Sequence, residues 1–114
     1  HSLWGSTADN NTAIGYYAYQ NASSANECTA IGALSLYSNT SGFNTGVGYG
    51  TLMYTTDGTH NTTLGHQTLF TNVSGGENVA IGYKTLYTNT GGQATAVGYM
   101  ARRRFCLWQY INRL

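Results

Sequence analysis

Apolar residues in this chain recur at one fixed interval instead of clustering into helix-length or sheet-length runs. A small or hydroxyl-bearing pair, a large aliphatic residue and a glycine appear as Thr12-Ala13-Ile14-Gly15, Thr29-Ala30-Ile31-Gly32, Thr45-Gly46-Val47-Gly48, Thr62-Thr63-Leu64-Gly65, Val79-Ala80-Ile81-Gly82 and Thr95-Ala96-Val97-Gly98. The six glycines are 17, 16, 17, 17 and 16 residues apart. Four copies continue with a second hydroxyl residue and a leucine (Ser35-Leu36, Thr51-Leu52, Thr68-Leu69, Thr85-Leu86), then an aromatic and an Asn/Thr/Ser/Gly turn. Two helices need about 33 residues per repeat. A coil half that long suits two short strands and two tight turns, so the pattern predicts an all-β, parallel β-solenoid of six coils of 16–17 residues.

Within each copy, successive strand side chains point to opposite faces. Burying the large aliphatic residue places the column Ile14, Ile31, Val47, Leu64, Ile81 and Val97 inside as the structural core, with Leu36, Leu52, Leu69 and Leu86 as its partner from the second strand. The opposite parity then forms a face almost without bulk: Ala13, Gly15, Ala30, Gly32, Gly46, Gly48, Thr63, Gly65, Ala80, Gly82, Ala96 and Gly98. Such a face fits close approach by another backbone, and hence self-association. It fits equally a bend or bulge for which glycine is required.

The repeat runs without interruption over residues 11–101. Residues 1–10 do not fit it, and Leu3 and Trp4 suggest an N-terminal cap. In residues 102–114 the pattern gives way to Leu107, Ile111 and Leu114 at helical spacing, which predicts a short helical or irregular C-terminal cap, or a docking tail.

Composition agrees with one ordered domain of 114 residues. Charged residues make up 8% of the chain and proline is absent, yet aliphatic and aromatic residues recur at fixed places, unlike in disordered sequences. A net charge of +1, with basic residues clustered only at Arg102-Arg103-Arg104, predicts no nucleic-acid partner. No run of 18 apolar residues and no charged-then-apolar leader precedes the repeats, so no membrane insertion is expected. Cys28 and Cys106 lie four coils apart, roughly 19 Å at about 4.8 Å per coil. A disulfide tolerates about 7 Å between Cα atoms, so two free thiols are expected.

Tandem copies of N-T-A-I-G-Y-x-T-L-Y-x-N-T-x-G, covering residues 11–101, resemble repeats of phage tail fibres and related surface proteins. They are similar, more loosely, to the S-V-A-I-G repeats in the heads of YadA-type trimeric autotransporter adhesins. The resemblance implies a left-handed β-roll, three chains side by side as a homotrimer, and the small-residue face at the three-fold axis. It also implies an extracellular fibre segment, on a virion or a bacterial surface, that mediates attachment to a cell.

Catalysis needs convergent titratable groups, and the chain offers few. Glu27, His60 and Glu77 share one position before the repeated strand and read as exposed turn residues in preference to an acid/base pair or a metal site. Gly46-Val47-Gly48-Tyr49-Gly50 belongs to the repeat and not to a phosphate-binding loop. The expectation is no enzyme, no metal and no cofactor. Aromatics form two series: Tyr16, Tyr49, Tyr83 and Tyr99, broken by His66, and Tyr37, Tyr54, Phe70 and Tyr87. Stacked rings stabilise the coils; an exposed stripe would also bind a cell-surface glycan or protein receptor, and Tyr37, Tyr54, Phe70 and Tyr87 are the candidates. The sequons at Asn10, Asn21, Asn39, Asn61 and Asn72 follow from an Asn/Thr-rich repeat, in which Asn serves turns. The column Thr12, Thr29, Thr45, Thr62 and Thr95 raises ice binding as a further alternative, although its parity places it beside the buried aliphatic column.

Overall fold

A computed structural model describes residues 7–21 and 24–101. The expected cap at Leu3 and Trp4, the tail 102–114 and Cys106 lie outside the described residues. The described residues form an all-β solenoid of about five turns. Its strands are β1 (Thr12–Ile14), β2 (Thr29–Ile31), β3 (Thr45–Val47), β4 (Thr62–His66), β5 (Val79–Tyr83) and β6 (Thr95–Val97). They form one parallel sheet in sequence order, and equivalent residues pair throughout: Ile14 with Ile31, Ile31 with Val47, Val47 with Leu64, Leu64 with Ile81, Ile81 with Val97. Copies of 16 and 17 residues keep this register because the difference falls in the turn between the Leu segment and the next strand. Five residues separate Asn39 from Asn44, where six separate Thr55 from Asn61.

The second side of each coil is not the strand that the pattern predicts. Leu36, Leu52, Leu69 and Leu86 adopt left-handed backbone conformations with φ between 46° and 50°, so this wall is a series of tight turns. It is nevertheless bonded from coil to coil: Leu36 N–H donates to Thr51 O at 2.9 Å, Leu52 N–H to Thr68 O at 3.1 Å and Leu69 N–H to Thr85 O at 3.0 Å.

The expected faces of the sheet are reversed. Leu36, Leu52, Leu69 and Leu86 are buried as expected, but they pack against Ala30, Gly46, Thr63, Ala80 and Ala96, which are buried as well. The aliphatic column points outward: Ile14 is 60% exposed, Ile31 36%, Leu64 49% and Val97 67%, with Val47 and Ile81 half-buried. Cross-section decides this. A Cβ added at Gly46 would collide with the Leu36 side chain and lie 2.9 Å from Ser35 Oγ, so a Leu wall leaves room opposite it only for small side chains. The column of Ala13, Ala30, Gly46, Ala80 and Ala96 is therefore the inner lining, not a trimer face.

Gly15, Gly32, Gly48 and Gly98 follow their strands directly and Gly65 and Gly82 stand next to last in theirs, all with φ from 123° to 137°, a region open essentially to glycine. A Cβ on Gly32 would also sit 2.7 Å from the carbonyl carbon of Gly48 in the next coil. Of the two readings open for these glycines, the bend accounts for them.

The rest of the interior is largely polar, and a ladder of asparagines organises one side of it. Asn44, Asn61 and Asn78 are buried at one position. Each accepts with Oδ1 a backbone N–H of the next coil, from Asn61 at 2.9 Å, Asn78 at 3.0 Å and Ala94 at 2.8 Å. Each donates with Nδ2 to a turn carbonyl of the next coil, Gly58, Gly75 and Gly91 at 2.8, 2.9 and 3.0 Å. Asn11 does the same with Cys28 N–H and Ala25 O. Cys28 occupies this Asn position in its coil as a buried free thiol, its Sγ 3.5 Å from Ser41 O. Tyr19 fills the Leu position of the first coil, fully buried, with its hydroxyl bonded to Ala25 O.

Candidate functional site: the outward sheet face

Turning the sheet over brings three columns to its solvent side. Thr12, Thr29, Thr45, Thr62, Val79 and Thr95 form the first, and the aliphatic column the second. The third is Tyr16, Ala33, Tyr49, His66, Tyr83 and Tyr99, continued past the shorter strands by coil-to-coil bonds such as Leu34 N–H to Tyr16 O at 2.9 Å and Gly50 N–H to Ala33 O at 3.0 Å. Each coil contributes one rank, Thr45-Val47-Tyr49 for example, with the bend at its glycine between the aliphatic and the aromatic column. The result is a regular and largely apolar surface.

His66 does not break the aromatic series. Its ring stacks on Tyr49 at 5.1 Å and on Tyr83 at 5.2 Å, and Tyr83 stacks on Tyr99 at 5.3 Å. An imidazole ring is flat and aromatic, and so replaces a phenol in a stack of this kind.

Of the proposed receptor-binding residues, Tyr54, Phe70 and Tyr87 are brought together. Phe70 stacks on Tyr87 at 4.9 Å and meets Tyr54 edge-on at 5.4 Å. Tyr54 is exposed, while Phe70 and Tyr87 are half-buried. Tyr37 turns instead toward Tyr17, with ring centres 6.4 Å apart. Lys84 links the two aromatic columns, its Nζ lying 5.5 Å from the Tyr83 ring and 5.6 Å from the Tyr87 ring, within the range of a cation–π contact. The Tyr16 phenol is held above its usual pKa, chiefly by its hydrogen bond with Tyr17 and then by partial desolvation.

Glu27, His60 and Glu77 occupy one left-handed turn position, with φ between 56° and 60°. His60 stacks on Phe43 at 4.8 Å, and Glu77 accepts from Gln93 Nε2 at 3.1 Å. Among the described residues no three His, Cys, Asp or Glu side chains converge. Asn39, Asn61 and Asn72 are buried, so three of the five sequons have side chains withdrawn from the surface. Sequence reasoning missed the interior Asn column. The signal was present, because Asn11, Asn44, Asn61 and Asn78 stand four residues before the glycine, on the parity of the alanines.

Comparison of the chain with protein-family models, with curated proteins and with solved structures gives no match.

Proposed function

We propose that this chain is a structural and attachment module of a self-associating extracellular fibre, assembled as a homotrimer and borne by a virion or a bacterial surface. The observation that carries the proposal is the outward column Ile14, Ile31, Val47, Leu64, Ile81 and Val97. A soluble chain has no reason to line one flat face with aliphatic side chains at every coil unless another surface covers them. Half-exposed aliphatic side chains gain about 1 kcal/mol each on burial, half the value for a fully exposed one. The rigid repeat makes the face the same along its length, so it complements further copies of itself. The number three comes from the sequence resemblance. Three copies present identical aromatic columns, and weak contacts to a cell surface combine through effective concentration.

The test is native mass by light scattering over a dilution series. A mass of three chains that falls on dilution, and a shift to one chain in Leu64→Glu with the β-sheet signature retained, supports the proposal. A single-chain mass at the highest concentration overturns it.

One observation favours a second reading. The outward Thr column, broken only by Val79, stands in one parallel sheet with one residue per coil, which removes the parity objection to ice binding. Thermal hysteresis in the unmodified protein, lost in Thr45→Lys, would support that reading, and a freezing point that follows solute concentration alone would end it.

A further inference from the structure

Backbone bonding between coils has a fixed sense, and it stops at both ends of the sheet. The bonding groups of a parallel strand alternate between its two neighbours. The residue that opens each strand donates its N–H to the following coil: Thr12 to Cys28 O, Thr29 to Asn44 O, Thr45 to Asn61 O, Thr62 to Asn78 O and Val79 to Ala94 O, at 2.8 to 2.9 Å. The aliphatic residue two positions on accepts from the glycine of the following coil, Ile14 O from Gly32 N–H at 2.7 Å and Ile81 O from Gly98 N–H at 2.9 Å. In β6 the same groups are Thr95 N–H and Val97 O, and among the described residues neither has a partner. Their counterparts in the first coil, Asn11 O and Gly15 N–H, likewise have none among the described residues. The side chains agree. Ile14 and Val97 are the most exposed members of the aliphatic column, and Tyr99 is 76% exposed where Tyr83, one coil further in, is 38%.

We propose that the last coil of one copy docks on the first coil of a second copy, extending the sheet head to tail. The two ends match in sequence, in register and in the sense of their bonds. Thr95-Ala96-Val97-Gly98-Tyr99 and Thr12-Ala13-Ile14-Gly15-Tyr16 differ only at the aliphatic position, so the junction repeats the pairing of β5 with β6. Laid one rise beyond β6, the second copy sets its Asn11 O against Thr95 N–H and its Gly15 N–H against Val97 O. Neither segment contains a charge or a proline, two of the devices by which sheet edges are kept from pairing. Each added copy keeps one open end, so growth does not close at a fixed number. One bond is missing. Asn11, Asn44, Asn61 and Asn78 each accept with Oδ1 a backbone N–H of the following coil, but Ala94 holds that place in the last coil. The Asn11 N–H of the second copy therefore meets no acceptor, and the junction is weaker than the joints within a chain. It uses the ends of the coils and leaves the aliphatic face free, so it does not rest on the trimer.

The experiment is sedimentation velocity of the full chain over a concentration series. Weight-average mass should rise without a plateau between about 0.02 and 3 mM, a range bracketing a constant on the order of 0.1 to 1 mM for a contact smaller than a standard interface. Leu64→Glu, which removes lateral association in the proposed fibre, should start from one chain and keep this rise. Ala94→Asn supplies the missing acceptor with a residue that other coils carry at the same place, and should tighten the association about fivefold, the worth of one net hydrogen bond. Val97→Pro removes an outward N–H from the edge strand, so it should stay folded by circular dichroism and lose the rise; if it does not fold, Ala94→Asn decides. A single-chain mass for Leu64→Glu at every concentration overturns the proposal, even where the unmodified chain forms a closed trimer. So does a folded Ala94→Asn that associates no more tightly than its parent, or a folded Val97→Pro that lengthens as the parent does. A rise in Leu64→Glu with no three-chain plateau in the unmodified protein would leave the junction standing while the trimer fell.

Discussion

Asn61 and Asn78 are joined by a bond that no sheet supplies: the side-chain Oδ1 of Asn61 accepts the backbone N–H of Asn78 at 3.0 Å, while Asn61 Nδ2 donates to Gly75 O at 2.9 Å. One side chain thereby satisfies two backbone groups of the next coil where it bends into the strand. Asn61→Leu leaves the Asn78 N–H buried without a partner, while Gly75 O keeps its bond from Asn72 Nδ2 at 2.6 Å. The expected cost is about 1 to 3 kcal/mol for the one orphaned group, read from urea unfolding. A loss below about 0.5 kcal/mol, the size of an ordinary surface substitution, would show that the column is dispensable.

Reversal of the sheet predicts opposite behaviour for two leucines five residues apart. Leu69 is fully buried and Leu64 is half exposed. Leu69→Ala should lower stability by about 2 to 5 kcal/mol at every protein concentration. Leu64→Ala should change only the part of the stability that depends on concentration, as mass action requires of a side chain buried by association. Equal losses in the two variants at high dilution would contradict the assignment of faces.

Two glycines separate backbone approach from mere turn conformation. Gly65 has φ 136°, and a Cβ there would collide with Gly82 of the next coil. Gly65→Ala should cost upwards of about 3 kcal/mol, because strain and overlap add. Gly50 has φ 62°, and the nearest atom to a Cβ is Phe70 Cε2 at 3.4 Å. Its position is filled by Leu34, Gln67 and Lys84 in other coils, at φ 50° to 59°. Gly50→Asn should stay within about 0.5 kcal/mol of the parent, and thermal melts of the two variants decide.

Tyr19 sets the alkaline limit. Burial, reinforced by the bond network around Cys28, pushes its phenol well above the usual range, whereas the Asn39 amide pulls the other way. Folding thus favours the protonated form, so the contribution is complete below the unfolded pKa of about 10 and falls as pH rises above it. Tyr19→Phe should lose about 1 kcal/mol at neutral pH through the missing bond to Ala25 O, and its stability should decline less between pH 9 and 11, a range straddling about 10. Parallel pH profiles for parent and variant would sink this account.

The period of the repeat was legible because each glycine marks a sharp bend that its coil needs, and parallel stacking in register follows when every coil repeats its predecessor. The buried Leu column was legible too. Which face of the strand points inward was not. Hydropathy ranks Ile14 and Val97 above Ala13 and Thr63, and a parity error of one residue carries every side chain to the other side. The deciding fact is a distance across the coil, the Leu36 side chain against Gly46, and the register of strands alone does not contain it. With the faces reversed, the Thr and Tyr columns became neighbours of the aliphatic one, so the candidate site moved from the Tyr54–Tyr87 row to the whole sheet.

The turns between Asn39 and Asn44 and between Thr55 and Asn61 differ by one residue while the ranks on either side stay aligned. They act as a clutch between the chain's length and its surface. Additions or losses there leave the spacing of the outward columns untouched, whereas a single residue gained within a strand would throw every later rank out of phase. Variation can accumulate on one edge of the coil, therefore, while the face that meets other molecules keeps its pitch.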